Sequence, residues 1–318
     1  MPHPDRDAFL DERRTGLGGS DIGTVCGLNP WSSPLEVWMA KRGVLPDAPD
    51  REPLRWGRLL EDDITDLLRF RHPEWTIRRH NRTLRHPDAA WAMGHPDRMI
   101  TLPGGERVLA EFKTANARQF DAWQDGVPVA YQAQVQWYLG LLPPRVHRAV
   151  VVVVLGGFTP TEHWIDRDPE TFALLFERGR VFWEQFVVPG IPPALTGTGR
   201  ELAALQQWLP SHPDPVALPA EVDTLIAKWT AVKASIKTGD TEEAKLKAAL
   251  VQALDGHPTG ETPAHWQVRY TPSVTRRIDT ETLRSTYPDI AEAVTRTSET
   301  YTLRVTPPKP SKDGVTHG

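Results

Sequence analysis

The chemistry easiest to read in this sequence lies in three residues: Glu111 and Lys113, separated by Phe112, and Asp97, which closes a Gly94-His95-Pro96-Asp97 run. Successive side chains on a strand alternate faces, so Glu111 and Lys113 project to one side while Ala110 and Phe112 project to the other. Pro103-Gly104-Gly105 reads as a turn joining strands over Met99 to Leu102 and Val108 to Phe112, and that hairpin brings Asp97 beside Glu111. Two buried carboxylates repel unless one takes up a proton or a cation lies between them, and oxygen ligands of this kind favour Mg²⁺, with Mn²⁺ as a substitute. Lys113 next to such a pair can orient or deprotonate a water and offset charge on a phosphate, as metal-assisted phosphodiester hydrolysis requires. The plain alternative is a surface hairpin with an ordinary Glu/Lys pair. The His-Pro-Asp triplet carries nothing alone, because it recurs at His86 and His212.

The elements that must position these residues follow from periodicity. Leu59, Leu60, Ile64, Leu67 and Leu68 predict a helix from Trp56 to about Phe70, and Trp75 to Leu84 reads as a strand. A helix over Pro128 to Leu141 follows, then a β-branched run, Val150 to Val154, that suits a buried central strand. A polar strand near Glu162 to Ile165 and a helix from Pro169 to Phe186 complete an α/β core with a mixed sheet. The proline-rich stretch 191–220, wrapped around a short helix from Arg200 to Trp208, reads as a linker. Beyond it, a long helix from Glu221 to about Leu254, strands at Trp266 to Tyr270 and Tyr301 to Val305, and a helix at Thr280 to Ala293 predict a small α+β extension over 221–306. Residues 307–318 cannot bury apolar surface and read as a disordered tail.

Other residues admit two readings each. Gln134 shares a helical face with Tyr131, Val135 and Tyr138, either as a satisfied semi-buried amide or as a group contacting water or phosphate; Gln132 and Gln136 are expected to face solvent. Gly18-Gly19-Ser20-Asp21 enters a short helix, where free N–H groups suit a phosphate, with Arg13 or Arg14 just upstream; the alternative is a tight turn capped by Ser20. Between Arg69 and His86 lie six arginines, among them Arg78, Arg79 and Arg82, opposed only by Glu74: a DNA-backbone contact or a charged, protective strand edge. The tryptophans, Trp31 and Trp137 among them, are core residues or include one that stacks on a terminal base.

The order of these pieces resembles the YqaJ viral recombinase family, the lambda-exonuclease-like branch of the PD-(D/E)XK nucleases. It runs Gly18 to Asp21, Trp-Gly-x-x-x-Glu (Trp56 to Glu61), Gly94 to Asp97, Glu111 to Lys113 and Tyr-x-x-Gln-Val-Gln (Tyr131 to Gln136), and the match covers roughly Arg13 to Phe186. The resemblance implies a PD-(D/E)XK restriction-endonuclease-like core, a central mixed sheet flanked by helices, over 1–190. It implies metal binding by Asp97, Glu111, Glu61 and the backbone carbonyl of Phe112, with Lys113 and Gln134 catalytic. Periodicity alone does not single out Glu61, which sits at the border of the helix's apolar face while Asp63 lies nearer its centre. Arg13 and Ser20 are similar to the family's 5′-phosphate ligands, and His95 stands where a serine is common. The implied activity is a Mg²⁺-dependent exonuclease that resects duplex DNA 5′ to 3′ from 5′-phosphorylated ends. A ring-shaped homotrimer and a single-strand-annealing partner are implied as well. An endonuclease on the same fold and a non-catalytic DNA-end-binding protein are the alternatives.

Composition sets the outer bounds. The 318 residues carry 37 Lys plus Arg against 41 Asp plus Glu, a net charge of −4, which excludes a histone-like polycation. A lone cysteine, Cys26, excludes an internal disulfide and a cysteine-built zinc or iron–sulfur centre. The longest apolar run, Ala149 to Leu155, is far short of the ~20 residues of a membrane span, and the first ten residues lack the pattern of a secretory signal. A cytoplasmic protein, phage or prophage encoded, is the expectation.

Overall fold

Five consecutive valines, Val150 to Val154, offer water no polar face, and the fold covers them on both sides. In the computed structural model, residues 4–44, 52–115, 121–156, 160–210, 212, 214–297 and 303–306 are described, and the chain divides into two compact units, 1–212 and 213–318.

The first unit opens with α1 (Pro4–Arg14), α2 (Gly19–Val25), α3 (Pro34–Arg42) and α4 (Glu52–Arg71). Next come β1 (Thr76–Arg79), β2 (Leu84–His86), β3 (Ala89–Gly94), β4 (Arg98–Thr101) and β5 (Arg107–Ala115). The series continues through α5 (Val129–Leu141), β6 (Arg148–Leu155), β7 (Thr161–Asp166) and α6 (Pro169–Phe182), and ends at α7 (Glu201–Trp208). The main sheet runs β1-β4-β5-β6-β7. Only β5 and β6 are parallel, joined by the α5 crossover; every other pairing is antiparallel, so the sheet is mixed. On one face Val108, Ala110, Phe112, Val150 and Val152 pack with Ile64 and Leu68 of α4. On the other, Leu109, Val151 and Val153 belong to the larger core with Ile22 of α2 and Val135, Trp137 and Leu139 of α5. Helices thus flank both faces of the central mixed sheet.

The β4–β5 turn forms as its residues dictate: Gly104 and Gly105 sit at φ 92° and 89°, which only glycine adopts without strain, and the Gly105 N–H reaches the Leu102 carbonyl at 3.0 Å. Elsewhere the structure departs from the periodic reading. The run Trp75 to Leu84 is not one strand: β1 joins the main sheet while β2 pairs with β3 in a separate hairpin. The helix expected to Phe186 is α-helical to Phe182 and then widens into a π turn over Trp183–Val187, with the Val188 N–H on the Trp183 carbonyl at 2.9 Å.

The stretch read as a linker is partly core. Trp208 of α7 meets Trp38 edge-on with ring centroids 5.3 Å apart, Ala204 is buried, and the buried Glu201 carboxylate accepts the Thr196 and Gly197 N–H groups. Apolar anchors at helical spacing between prolines hold this segment on the first unit, and the division falls after 212 rather than 190.

The second unit holds α8 (Glu221–Ala253), the β8 (Thr259–Glu261) and β9 (Gln267–Arg269) pair, α9 (Thr280–Thr286) and α10 (Pro288–Val294). The single helix expected over 280–293 breaks at Tyr287, because Pro288 cannot continue a helical hydrogen-bond ladder but suits a first turn. Residues 303–306 are not in a strand; 301, 302 and the tail 307–318 lie outside the described residues. No helix among the described residues is long and apolar enough to cross a membrane.

Candidate active site

β4 and β5 build the centre. Arg98 stands opposite Ala110 in their antiparallel register, so one step further along Asp97 stands opposite Glu111 and shares its face. β4 has ended there, and the Asp97 carboxylate takes the place of a ladder partner by accepting the Phe112 N–H at 2.7 Å. Glu111 is 2% exposed; its Oε1 accepts from Lys113 Nζ at 2.8 Å and from Gln134 Nε2 at 2.6 Å, while its buried Oε2 has no hydrogen-bond partner. Gln134, presented by α5, accepts from Lys113 Nζ with its own oxygen at 3.1 Å and donates to the Tyr138 hydroxyl at 3.2 Å. Lys113 lies over the Tyr131 ring, 4.9 Å from its centroid.

The electrostatics follow from this packing. Burial and the Glu111 charge push the Asp97 carboxyl up to about 7, and burial raises Glu111 against the pull of Lys113. Burial works against the Lys113 ammonium, but Glu111 and Asp97 outweigh it and hold its pKa above the ordinary value, so it is charged at neutral pH. One cation faces two carboxylates, and a buried carboxylate oxygen is left unsatisfied.

Glu61 of α4 faces inward, whereas Asp63, which periodicity placed nearer the apolar stripe, is exposed. Burial and the neighbouring Asp97 charge raise the Glu61 carboxyl. The buried Arg98 opposes that rise: it spans Glu61 (3.2 Å), Asp62 (2.9 Å), Thr65 (3.0 Å) and the Asp97 carbonyl (2.8 Å). Glu61 is therefore paired with Arg98, and among the described residues no three His, Cys, Asp or Glu side chains converge as a metal-binding group.

A second charged cluster lies at the start of α2. Arg13 Nη2 donates to Ser20 Oγ at 3.1 Å and to Asp21 Oδ1 at 3.2 Å. Lys41 Nζ, from α3, donates to Asp21 Oδ2 at 2.6 Å and to the Arg13 carbonyl at 2.8 Å, and the Gly18 N–H also binds Asp21. Burial penalises the Asp21 charge, yet Lys41 and Arg13 outweigh it and the pKa falls to about 2. Two cations share one carboxylate, with the exposed Ser20 hydroxyl beside them. A turn over Gly18 to Asp21 gives Asp21 no such role in the sequence, and Lys41, which comes from a separate helix, carries no local signal of the contact.

The two clusters are joined through Tyr138. A Cβ at Gly19 would fall 2.6 Å from Tyr138 Cε1, and one at Gly94 would fall 2.6 Å from Cδ1 on the same ring edge. This close approach explains why glycine occupies both the Gly18 to Asp21 and Gly94 to Asp97 runs.

Other predicted residues lie elsewhere. His95 is turned to Glu12 (3.3 Å) and Thr83 (3.0 Å), its ring edge-on to Phe9, and burial lowers its pKa. Arg79 binds Asp62 at 2.6 Å, whereas Arg78 and Arg82 are exposed. Arg14 pairs with Asp11 at 2.5 Å. Gln136, expected in solvent, is buried: it donates to the Asp166 carbonyl and accepts from the Asp168 N–H, tying α5 to the end of β7.

Residues 8–141 match the family described as YqaJ-like viral recombinase domain. An uncharacterized protein, YqaJ, of Bacillus subtilis (strain 168) is 32% identical over 297 residues, 91% of this chain and 90% of that protein. Protein D345L of African swine fever virus (strain Badajoz 1971 Vero-adapted) is 27% identical over 45% of this chain and 47% of its own length. Among solved structures, an alkaline exonuclease (LHK-Exo) from Laribacter hongkongensis matches 56% of this chain and 91% of its own at 15% identity, with a TM-score of 0.46. A phage-related exonuclease from Haemophilus somnus 129PT matches 55% and 96% at 14% identity, with a TM-score of 0.41.

Proposed function

The chain belongs to the YqaJ-like viral recombinase domain family, and from that premise we propose that it is a divalent-metal-dependent deoxyribonuclease acting on duplex DNA ends. In this reading it resects 5′-phosphorylated ends 5′ to 3′ to leave 3′ single strands. The observation that carries the proposal is the buried Glu111 carboxylate, bound on one oxygen by Lys113 and Gln134, unpartnered on the other, and facing Asp97.

The donor set fits a hard divalent cation. Asp97 and Glu111 would hold it together with the Phe112 carbonyl, and Glu61 would join by leaving Arg98. A bound Mg²⁺ or Mn²⁺ would supply the Lewis acidity that makes water a nucleophile at neutral pH and stabilises charge on the phosphate. Lys113 is protonated, so it serves as a donor to water or phosphate oxygen rather than as a base. Gln134 fixes the lysine and can orient the attacking water through its amide. Arg13 and Ser20 would hold the 5′-phosphate, with Asp21 fixing the guanidinium and Lys41 in turn holding Asp21 and the Arg13 carbonyl. A homotrimeric ring and a single-strand-annealing partner belong to the same proposal through the family.

The test is digestion of an end-labelled linear duplex, with and without a 5′-phosphate, beside a covalently closed circle. The expected result is nucleotide release from the phosphorylated linear substrate in Mg²⁺, none in EDTA, and an intact circle. Nicking of the circle would mark an endonuclease; binding without release in Mg²⁺ would mark a non-catalytic end-binding protein.

A further inference from the structure

A cavity of about 440 Å³ opens beside Lys113 and Gln134, and most of its wall has no role in the chemistry above. Its lining includes Ser20, Trp31, Val129, Tyr131 and the buried Trp123. Trp123 stacks on Tyr131 with centroids 5.6 Å apart, and Lys113 occupies a Tyr131 face, so those two rings are already engaged. Trp31 is not: its side chain makes no ring contact among the described residues, and the residue is 60% exposed. An indole left in water forgoes the burial that stabilises tryptophan elsewhere in the core.

Its position is nonetheless fixed. Asn29 accepts the Trp31 N–H at 3.0 Å and donates to Thr24 Oγ1 of α2 at 3.1 Å, an Asx turn pinned to the helix that carries Ser20. Both side-chain amides of the lining are engaged: Asn29 by these bonds, and Gln134 by Lys113, Glu111 and Tyr138. Trp31, Trp123, Tyr131 and Val129 therefore give the wall flat apolar surface, while its amides are already held by the protein.

We propose that this cavity is a nucleobase pocket, in which the base of an unpaired 5′-terminal nucleotide stacks on Trp31. The proposal rests on the nuclease reading for its substrate. A single base flanked by phosphates matches what lines the pocket: aromatic and aliphatic wall for the base, with Ser20 and Lys113 in the same lining for the charged backbone. Stacking without edge contacts tolerates all four bases.

The test measures binding in EDTA, independently of catalysis, by fluorescence anisotropy of a labelled duplex with a short 5′-phosphorylated overhang. The terminal nucleotide carries either a base or a tetrahydrofuran abasic analogue. The wild type is expected to bind the base-bearing end about tenfold more tightly, the scale of one base–aromatic stack. Trp31→Ala erases that difference by weakening only the base-bearing end, while Trp31→Phe retains most of it; thermal melting checks that both variants are folded. Equal affinity of the wild type for both ends, or an equal loss on both in Trp31→Ala, overturns the pocket, as does an absence of binding. If the base preference holds but Mg²⁺ releases no nucleotides, the nuclease reading fails and the pocket stands.

Discussion

The Asp97–Glu111–Lys113 cluster and the Asp21–Arg13–Lys41 cluster both set carboxylates against cations around a buried core of charge, and they reach opposite electrostatic states. In the first, two carboxylates share one ammonium, and the Asp97 carboxyl rises to about 7. In the second, two cations share one carboxylate, and Asp21 falls to about 2. Burial penalises both aspartates; the Glu111 charge adds to it at Asp97, whereas Lys41 and Arg13 overturn it at Asp21. A cluster with surplus negative charge is completed by a cation, and one with surplus positive charge by an anion. Side by side, they match the two halves of a metal-assisted attack on a terminal phosphate.

That contrast can be broken in several places. The largest effect is expected from Lys113→Ala, which should lower nucleotide release by about 10²–10⁴-fold in single-turnover assays while leaving the duplex bound. Asp21→Asn should follow, costing about 3–5 kcal/mol by denaturant unfolding, because Lys41 is left buried without its counter-charge. Asp97→Asn should do the reverse, abolishing activity while raising the melting temperature by about 2–4 °C for each 1 kcal/mol of relieved repulsion.

The pH dependence sharpens the same contrast. Asp97 is raised, so its contribution is fully present below about pH 4 and is lost as pH rises through 7; Asp21 is depressed, so its contribution is present above about pH 4 and is lost as pH falls toward 2. Mg²⁺ competes with the proton on Asp97, so it should raise the melting temperature more at pH 8 than at pH 5.5, by up to about 2.7 kcal/mol of stability at a hundredfold excess over Kd. An equal shift at both pH values would remove Asp97 from the ion. A smaller effect is expected from Ser20→Ala, about tenfold in KM for 5′-phosphorylated ends and none for 5′-hydroxyl ends. Smallest, Arg78→Ala and Arg82→Ala should each reduce the salt dependence of DNA binding by about one phosphate contact or leave it unchanged, which separates a DNA contact from a charged edge.

Much of the first cluster was legible because its parts are local. The strand alternation around Glu111, the glycine turn at 104–105 and the helical face of Gln134 each lie within a few residues, and the structure joins them as the spacing implies. What stayed hidden depends on chain segments far apart. Lys41 reaches Asp21 from another helix, Arg98 draws Glu61 and Asp62 together across an α-helix and a strand, and Gln136 is buried by the β7–α6 junction. The linker reading failed for a related reason: proline content marks where regular structure stops, not where packing stops, and Trp208 finds Trp38 regardless.

Tyr138 meets Gly19 and Gly94 along one edge of its ring, so the two glycine runs close on a single side chain. An alanine at either glycine would act as a shim, moving one cluster relative to the other without replacing a single charged group. The fit of the two clusters to each other is thereby gauged by an uncharged side chain.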